Sequence, residues 1–457
     1  MVLCSFYIMH LLGLLYTTNF SYGMEDINKK VPLLLFPLVL STSAPLVEKE
    51  KRMIFFLFML AVTGATFAGS YLLITHQIVD IHDISPFIAP VRLGMMIVLS
   101  IFILAHYIAN QKFSVWSILY GIWIGWFLSF LSIMQSLTSA IMVVVICLAL
   151  LLYAAVRAIR KKKTAIGLLI IVLFAGGILG SAGYVINSYH QYFPKADAVD
   201  RTSLAKQTAN GNAYLYFGGN LDDNTENGHY LGEYLCPVEL KKEWNKRGTI
   251  SYDSLDLKGN TLKSTLLRYM TSMNLRKDST GVWALSQKDI NAIEKGVPNY
   301  HLNSLSSMNY RLYEAFWEIT NYEKGGDING HSVTMRLEYW RIALILIGRH
   351  PIVGCGTGDV RKSFDDYYTA SHSTLKPEWR LRSHDQYLET TVGFGIIGFA
   401  WFIFSIFYPG IKTKKIYTYF YFIFWMIFML SLFTEDTLET EAGSTFYAFF
   451  NSFFLFL

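Results

Sequence analysis

A chain of 457 residues, 53% hydrophobic and only 16% charged, falls well short of the roughly one-quarter of charged residues that a soluble protein of this length carries. Its net charge of +5 is modest and gathers into no long basic stripe with interleaved aromatics, which excludes nucleic acid as a partner. Charges almost vanish over Met53–Thr75, Leu93–Ala109, Phe113–Val156 and Ala165–Asn187, then become ordinary from Ser188 onward. Apolar stretches of about 17–25 residues are what a hydrocarbon core of about 30 Å demands of a helix. Lipid gives the backbone no hydrogen-bond partner of its own, so such stretches must be helical.

The first twenty residues have no basic segment ahead of their apolar run and read as a spanning helix rather than a cleaved signal peptide. Spans are predicted over Met1–Thr18, Val31–Pro45, Met53–Thr75, Val91–Ala109, Phe113–Met134, Thr138–Val156, Ala165–Asn187, Val392–Tyr408, Ile416–Phe433 and Ala442–Leu457. Short loops rich in Lys and Arg face the cytoplasm. With ten spans, the basic loops Glu48–Arg52, Arg157–Lys163 and Lys412–Lys415 fall on one side, and His76–Pro90 and Thr434–Glu441, which hold no Lys or Arg, fall on the other. The predicted fold class is an all-α polytopic membrane protein of about ten transmembrane helices with a large, mostly helical extracytoplasmic insert. Its domains are an N-terminal membrane domain of about seven helices (1–187), an extracytoplasmic domain carrying the active site (188–391) and a C-terminal membrane domain of about three helices (392–457).

Within the insert, Leu262–Lys295 has a helical pattern punctuated at Asp289 and Gly296. A further helix, Ser332–Arg349, is expected to end at His350-Pro351. Its Met335, Tyr339, Ile342, Ala343 and Leu346 share one face, which predicts that it lies on or dips into the outer membrane surface. Cys4 and Cys147 stand in apolar spans and read as buried hydrophobes. Cys236 and Cys355 lie in the outer region, where a disulfide can form, although their spacing demands none. Glu435, Asp436, Glu439 and Glu441 read as a solvated acidic turn, the alternative being a cover over the site or a contact for acceptor sugars.

An enzyme outside the cytoplasm cannot draw on ATP or nucleotide sugars and needs a donor that arrives activated. A polyprenyl-pyrophosphate-linked sugar meets that need, and asks for fixed cations to hold the pyrophosphate and a base for the incoming hydroxyl. Arginine suits the first role through its permanent, bidentate charge, and histidine the second. Arg336, Arg341, Arg349, Arg380 and Arg382 accompany His384 between His331 and Gly398. Arg336 and Arg341, five apart on one helix, diverge and need not serve one ligand. Taken singly, each of these arginines is equally well a solvated residue or a headgroup contact. The glycines of Gly354–Gly358 lack the Lys of a P-loop, and no His-Glu-x-x-His accompanies His372 and His384, so nucleotide and zinc sites are not expected. No Asp or Glu stands inside the spans between Met53 and Asn187, which argues against the competing reading, a polysaccharide or lipid-linked glycan transporter without catalysis.

The run His331-Ser-Val-Thr-Met-Arg336-Leu-Glu-Tyr-Trp340, then Pro351-Ile-Val-Gly354-Cys-Gly356-Thr-Gly358-Asp359, Ser383-His384-Asp385-Gln-Tyr387-Leu388 and Gly393-Phe-Gly395-Ile-Ile-Gly398 resembles the signature of the bacterial O-antigen ligase and polymerase family. That signature is an Arg shortly before a Trp, a Pro followed by Gly-x-Gly, and His-Asn-x-Tyr-Leu leading into a glycine-rich span. The resemblance implies a bacterial inner-membrane enzyme with its large loop in the periplasm. It further implies inverting transfer of a glycan from undecaprenyl pyrophosphate to a hydroxyl of lipid A core, another repeat unit or a protein, without metal or other cofactor. His384 matches the family's base and Arg336 its pyrophosphate-binding arginine. Arg92, at the outer start of its span, is the candidate for a further family arginine, with Arg341 and Arg382 as additional pyrophosphate contacts. Three features depart from the pattern. The turn Gln135-Ser-Leu-Thr138-Ser has no arginine, Asp385 replaces the usual Asn, and ten spans stand against about twelve, an even deficit that fits a chain beginning two helices late.

Overall fold

The computed structural model describes residues 2–75, 84–196, 204–216 and 225–457, so the first part of the His76–Pro90 loop, residues 76–83, lies outside the described residues. Three short helices open the chain, α1 (Val2–Gly13), α2 (Phe20–Lys30) and α3 (Pro32–Thr42). Long helices follow: α4 (Glu48–Thr75), α5 (Pro90–Asn110), α6 (Val115–Ile133), α7 (Leu137–Arg160) and α8 (Thr164–Tyr192). The antiparallel pair β1 (Thr225–Glu226) and β2 (His229–Tyr230) precedes α9 (Pro237–Arg247), α10 (Leu262–Ser272), α11 (Ser279–Ala284) and α12 (Gln287–Glu294). The chain then forms α13 (Ser307–Glu323), α14 (Ser332–Arg349), α15 (Val360–Ala370), α16 (Gln386–Lys412), α17 (Tyr419–Ser431) and α18 (Glu441–Phe456).

Among the described residues six helices, α4 to α8 and α16, are long and apolar enough to cross a membrane. The other four expected spans are short. α1 and α3 have 12 and 11 residues, and α17 and α18 have 13 and 16. At about 1.5 Å per residue none of the four covers the full hydrocarbon thickness. Pro32 starts α3, where its missing N–H has no partner to lose, and extended Ser43 ends it ahead of Pro45. Exposed apolar side chains such as Trp116, Ile118 and Ile122 on α6 and Leu169, Val172 and Leu173 on α8 form a surface suited to lipid rather than water. Cys147 belongs to this exposed surface and is not buried as expected, whereas Cys4 is buried.

The chain divides into two compact units, one of Met1–Ile74, Ile84–Phe174 and Ala315–Leu457, the other including Ala175–Glu314. The second has its own core around Leu240, Trp244, Leu266, Tyr269, Val282 and Ile290. There Ser286 and Asp289 form a capping box that starts α12, and Gly296, at φ +75°, ends it. Residues 315–391, expected to fold with the insert, group instead with the membrane helices. Cys236 and Cys355 are both free. α14 has the predicted bounds, but its apolar face does not meet the membrane surface. Met335, Tyr339, Ile342, Ala343 and Leu346 are buried with Phe364, Tyr368 and Val392 of α15 and α16. An apolar stripe asks only for an apolar cover, and here protein supplies it.

α16 is two helices joined at Gly395, whose φ of 61° and ψ of −164° are open to glycine alone. The break frees backbone groups, and the loop after α14 satisfies them. Ile396 N donates to Pro351 O at 2.9 Å, Cys355 N to Val392 O at 3.0 Å and Gly356 N to Gly393 O at 2.8 Å. A Cβ on Gly354 would overlap the backbone of Gly393, and one on Gly395 would overlap that of Ile352. Asp359 completes the crossing by accepting Thr18 N at 2.6 Å, Thr18 Oγ1 at 2.8 Å and Asn19 N at 2.9 Å. The glycines of 354–358 thus let backbone meet backbone. Gly395→Ala is expected to destabilise the protein by at least about 2 kcal/mol, read as a lower unfolding temperature in detergent. An unchanged melting curve would contradict this account of the crossing.

Candidate active site

The first half of α16 starts at Asp385, whose carboxylate accepts Leu388 N at 2.9 Å. Asparagine makes the same cap, so the departure from the family pattern at this position keeps the local structure. His384, one residue earlier, has a φ of +48°, uncommon for a residue other than glycine and stable only where neighbours dictate it. They do so here through several bonds. Ser383 Oγ donates to Glu389 Oε2 at 2.8 Å. Gln386 N donates to Leu432 O at 2.9 Å, its Oε1 accepts Leu438 N at 2.8 Å and its Nε2 donates to Glu439 Oε1 at 2.9 Å. Gln386 thereby fastens the turn between α17 and α18 beside His384.

That turn is not solvated, contrary to expectation. Asp436 and Glu439 are only 7% and 8% exposed, and Glu441 alone of its four acids stands fully in the open. Asp436 Oδ1 lies 3.6 Å from His384 Nδ1, an ion-pair distance rather than a closed hydrogen bond. Arg382 reaches Asp436 at 2.9 Å, Glu389 at 3.1 Å and Glu439 at 3.5 Å. Glu439 also meets the wholly buried Lys30 at 2.6 Å, and Lys30 meets Asp26 at 2.6 Å.

Arg336 is held far more loosely. Its Nη1 donates to Ser332 O of its own helix at 3.1 Å, and its Nη2 lies 3.5 Å from Glu435. The Nε atoms of Arg336 and Arg92 are both buried with no hydrogen-bond partner among the described residues, and the charges of both arginines act on Glu435. The remaining arginines are engaged elsewhere. Arg341 pairs with Glu338 at 2.6 Å, Arg349 lies over the Tyr367 ring, and Arg380 Nε donates to Leu375 O.

These neighbours set the protonation of the site. Burial alone would lower the His384 pKa, but Asp436, with Glu435 behind it, outweighs burial and the opposing charge of Arg336 and raises it. Burial would raise the Asp436 carboxyl, yet His384 and Arg382 hold it below its ordinary value. Burial raises Glu435, reinforced by Asp436, and pushes Asp385 up to about 6. The His384 imidazolium therefore stabilises the fold below its unfolded pKa of about 6.5, and that contribution is lost as the pH rises through the higher folded value. His384, Glu435 and Asp436 also offer three atoms within 4.8 Å of one another that can hold a metal ion. Arg336 and Arg382 already lie against the two carboxylates.

Residues 298–403 match the family model described as O-antigen ligase. This match supports an assignment to the O-antigen ligase and polymerase family. The matched segment includes Arg336, His384 and the Gly395 break, and leaves Arg92 and the acidic turn outside it. The family's work is glycan transfer in surface polysaccharide synthesis, with a lipid-linked glycan as substrate in a membrane setting. A search of curated proteins returned no match.

Sequence reasoning passed over Lys30, Asp26 and Glu389 and misread Asp436 and Glu439. The only hint was the Asp26–Lys30 spacing of four. Removing one member of a buried ion cluster costs about 3–5 kcal/mol because its partners stay charged. Arg382→Gln is therefore expected to lower the unfolding temperature sharply, whereas Arg336→Gln, with one loose pair, is expected to change stability by no more than about 1 kcal/mol. Equal losses in the two variants would contradict this division of roles.

Proposed function

We propose that the protein transfers a glycan from undecaprenyl pyrophosphate to a hydroxyl acceptor at the outer face of the bacterial inner membrane. The observation that carries this reading is the pair of buried guanidinium Nε donors of Arg336 and Arg92, which have no partner among the described residues and whose charges both act on Glu435, with Arg336 also acting on an imidazole backed by a carboxylate. Buried donors without acceptors are costly, and a pyrophosphate supplies acceptors in the geometry that guanidinium favours. Arg382, saturated by three carboxylates, and Arg341, paired with Glu338, are left out of that role and hold the surrounding structure.

In the reaction, the acceptor hydroxyl gives its proton to His384 Nε2 while its oxygen attacks the anomeric carbon from the face opposite the pyrophosphate. The bond from anomeric carbon to pyrophosphate oxygen breaks, and its electrons leave with undecaprenyl pyrophosphate, whose charge Arg336 and Arg92 neutralise. Attack from the opposite face inverts the anomeric centre. Asp436 positions the ring and stabilises the imidazolium that forms, so no metal is required. Lipid A core, a further repeat unit or a protein hydroxyl all fit as acceptor. Lys51 and Arg52 of one basic loop and Lys415 of another line one cavity at the far end of the helices from His384. By the charge rule for short loops that end is cytoplasmic, which supports a periplasmic location for the site.

The test is release of undecaprenyl pyrophosphate by purified protein given an undecaprenyl-pyrophosphate glycan and acceptor. His384→Ala is expected to cut turnover by about 10²–10⁴-fold with donor binding retained, and Arg336→Lys to weaken both turnover and binding. Near-normal turnover by His384→Ala would overturn the assignment of the base. Because the base must be neutral, kcat/KM of the wild type should rise with pH through a pKa above 6.5. Asp436→Asn should move that limb to lower pH, and a shift to higher pH would contradict the pairing. EDTA should leave the rate unchanged. Loss of activity restored by a divalent ion would instead make His384, Glu435 and Asp436 a metal site.

A further inference from the structure

A second site lies at the opposite end of the helices. α5 begins beside Arg92 and, over 21 residues, carries the chain about 31 Å to Asn110. α17 starts at this far end and finishes under the acidic turn. Here a cavity of about 590 Å³ opens between the start of α4, the end of α5, the start of α6, the start of α17 and the end of α18. Its length of helix from the candidate active site puts it at the other membrane interface.

The lining changes character with depth. Lys51, Arg52 and Lys415 stand at the polar end with a single carboxylate, Glu48. Glu48 spends its charge weakly: it is 80% exposed on its side chain and 3.5 Å from Lys51. Arg52 and Lys415 have no ion pair among the described residues. Deeper in, the walls are aromatic: Phe55, Phe56, Trp123, Phe420, Phe453 and Phe454. Trp123 is fixed there by donation from Nε1 to Thr63 Oγ1 at 2.8 Å, and the Phe56 ring packs edge-on against it. His106, Asn110 and Thr418 add polar atoms to the lining.

A cavity with excess positive charge at the membrane surface and aromatic walls toward the bilayer matches an amphiphile with an anionic head. A free anion would leave the walls unused, and a zwitterionic head would bring a cation against three others. Basic residues at the cytoplasmic surface attract anionic lipid, and basic pockets between membrane helices on that side bind phosphate headgroups. We propose that this cavity binds one anionic phospholipid of the cytoplasmic leaflet, its phosphate held among Lys51, Arg52 and Lys415 and an acyl chain lying against Phe56, Trp123 and Phe420. The proposal stands on the multi-pass membrane character of the chain and is independent of the glycan-transfer reading. The bound lipid would tie together α4, α6 and α17, and α17 leads into the acidic turn at its other end.

Native mass spectrometry and thermal unfolding of the full chain in neutral detergent test this with phosphatidylglycerol, phosphatidylcholine and inorganic phosphate as separate probes. Phosphatidylglycerol is expected to stay bound one per chain and to raise the unfolding temperature, and the other two are expected to do neither. The triple variant Lys51→Gln, Arg52→Gln, Lys415→Gln should lose more than tenfold in phosphatidylglycerol affinity. The single variant Lys415→Glu should lose affinity in the same direction while disturbing the fold less. Neutralising Arg157, Arg160 and Lys161 instead removes equal charge from the same membrane side without touching the cavity, and should leave affinity as in the wild type. Equal binding of phosphatidylcholine, competition by inorganic phosphate, unchanged affinity in the cavity variants, or an equal loss in the control variant would each overturn the proposal.

Discussion

Glu389, Asp436 and Glu439 converge on the guanidinium of Arg382 where little water reaches any of them. Carboxylates buried in this way must be paired or give up their charge, so the position of each is dictated by the cations around it. Lys30, brought in from the N-terminal segment, neutralises Glu439 from the other side. The turn between α17 and α18 is thereby locked against the start of α16, and Asp436 is left with one edge turned to His384. The protonation of the imidazole, the unusual backbone at residue 384 and the closeness of Arg336 to Glu435 all depend on that locked turn.

The second support is geometrical. A helix that breaks at Gly395 needs partners for the backbone groups it releases, and the loop 351–356 reaches them only because glycines at 354 and 356 allow close approach. Asp359 then fixes the link between α1 and α2 to the same loop, so the segment that delivers Lys30 is anchored by the motif that also sets the start of α16. Charge and backbone packing are joined through a few residues, with the loosely held Arg336 as the exception. A residue left under-satisfied amid so much pairing is where a ligand's charge belongs.

Much of this was legible in the sequence, for physical reasons. The long apolar runs gave α4 to α8, and His350-Pro351 marked the end of α14 because proline cannot continue it. The glycine and histidine motifs are local in sequence, so His384 and Arg336 stood out together. The acidic turn did not, because four acids in a short loop look solvated until the buried cations are known, and Lys30 lies about 400 residues from Glu439 along the chain. Arg382 looked like Arg336 for the same reason: an arginine's task is set by its carboxylates, which come from elsewhere in the chain. The apolar face of α14 and the exposure of Cys147 show the complementary limit, since hydrophobicity does not say whether protein or lipid covers it. The four shorter helices stop short of the bounds expected for their spans, because composition gives apolar character more readily than it gives the residue where a helix stops.

The central claim is that Arg336 and Arg92 are held open for a diphosphate that His384 faces, while Arg382 is committed to the fold. A structure determined with undecaprenyl diphosphate bound tests it most directly. The account predicts phosphate oxygens at about 2.7–2.9 Å from the guanidinium of Arg336 and from that of Arg92, with the Arg382 carboxylate cluster unchanged. A diphosphate seated on Arg382, or one bound elsewhere with both Nε atoms still unmatched, would contradict it.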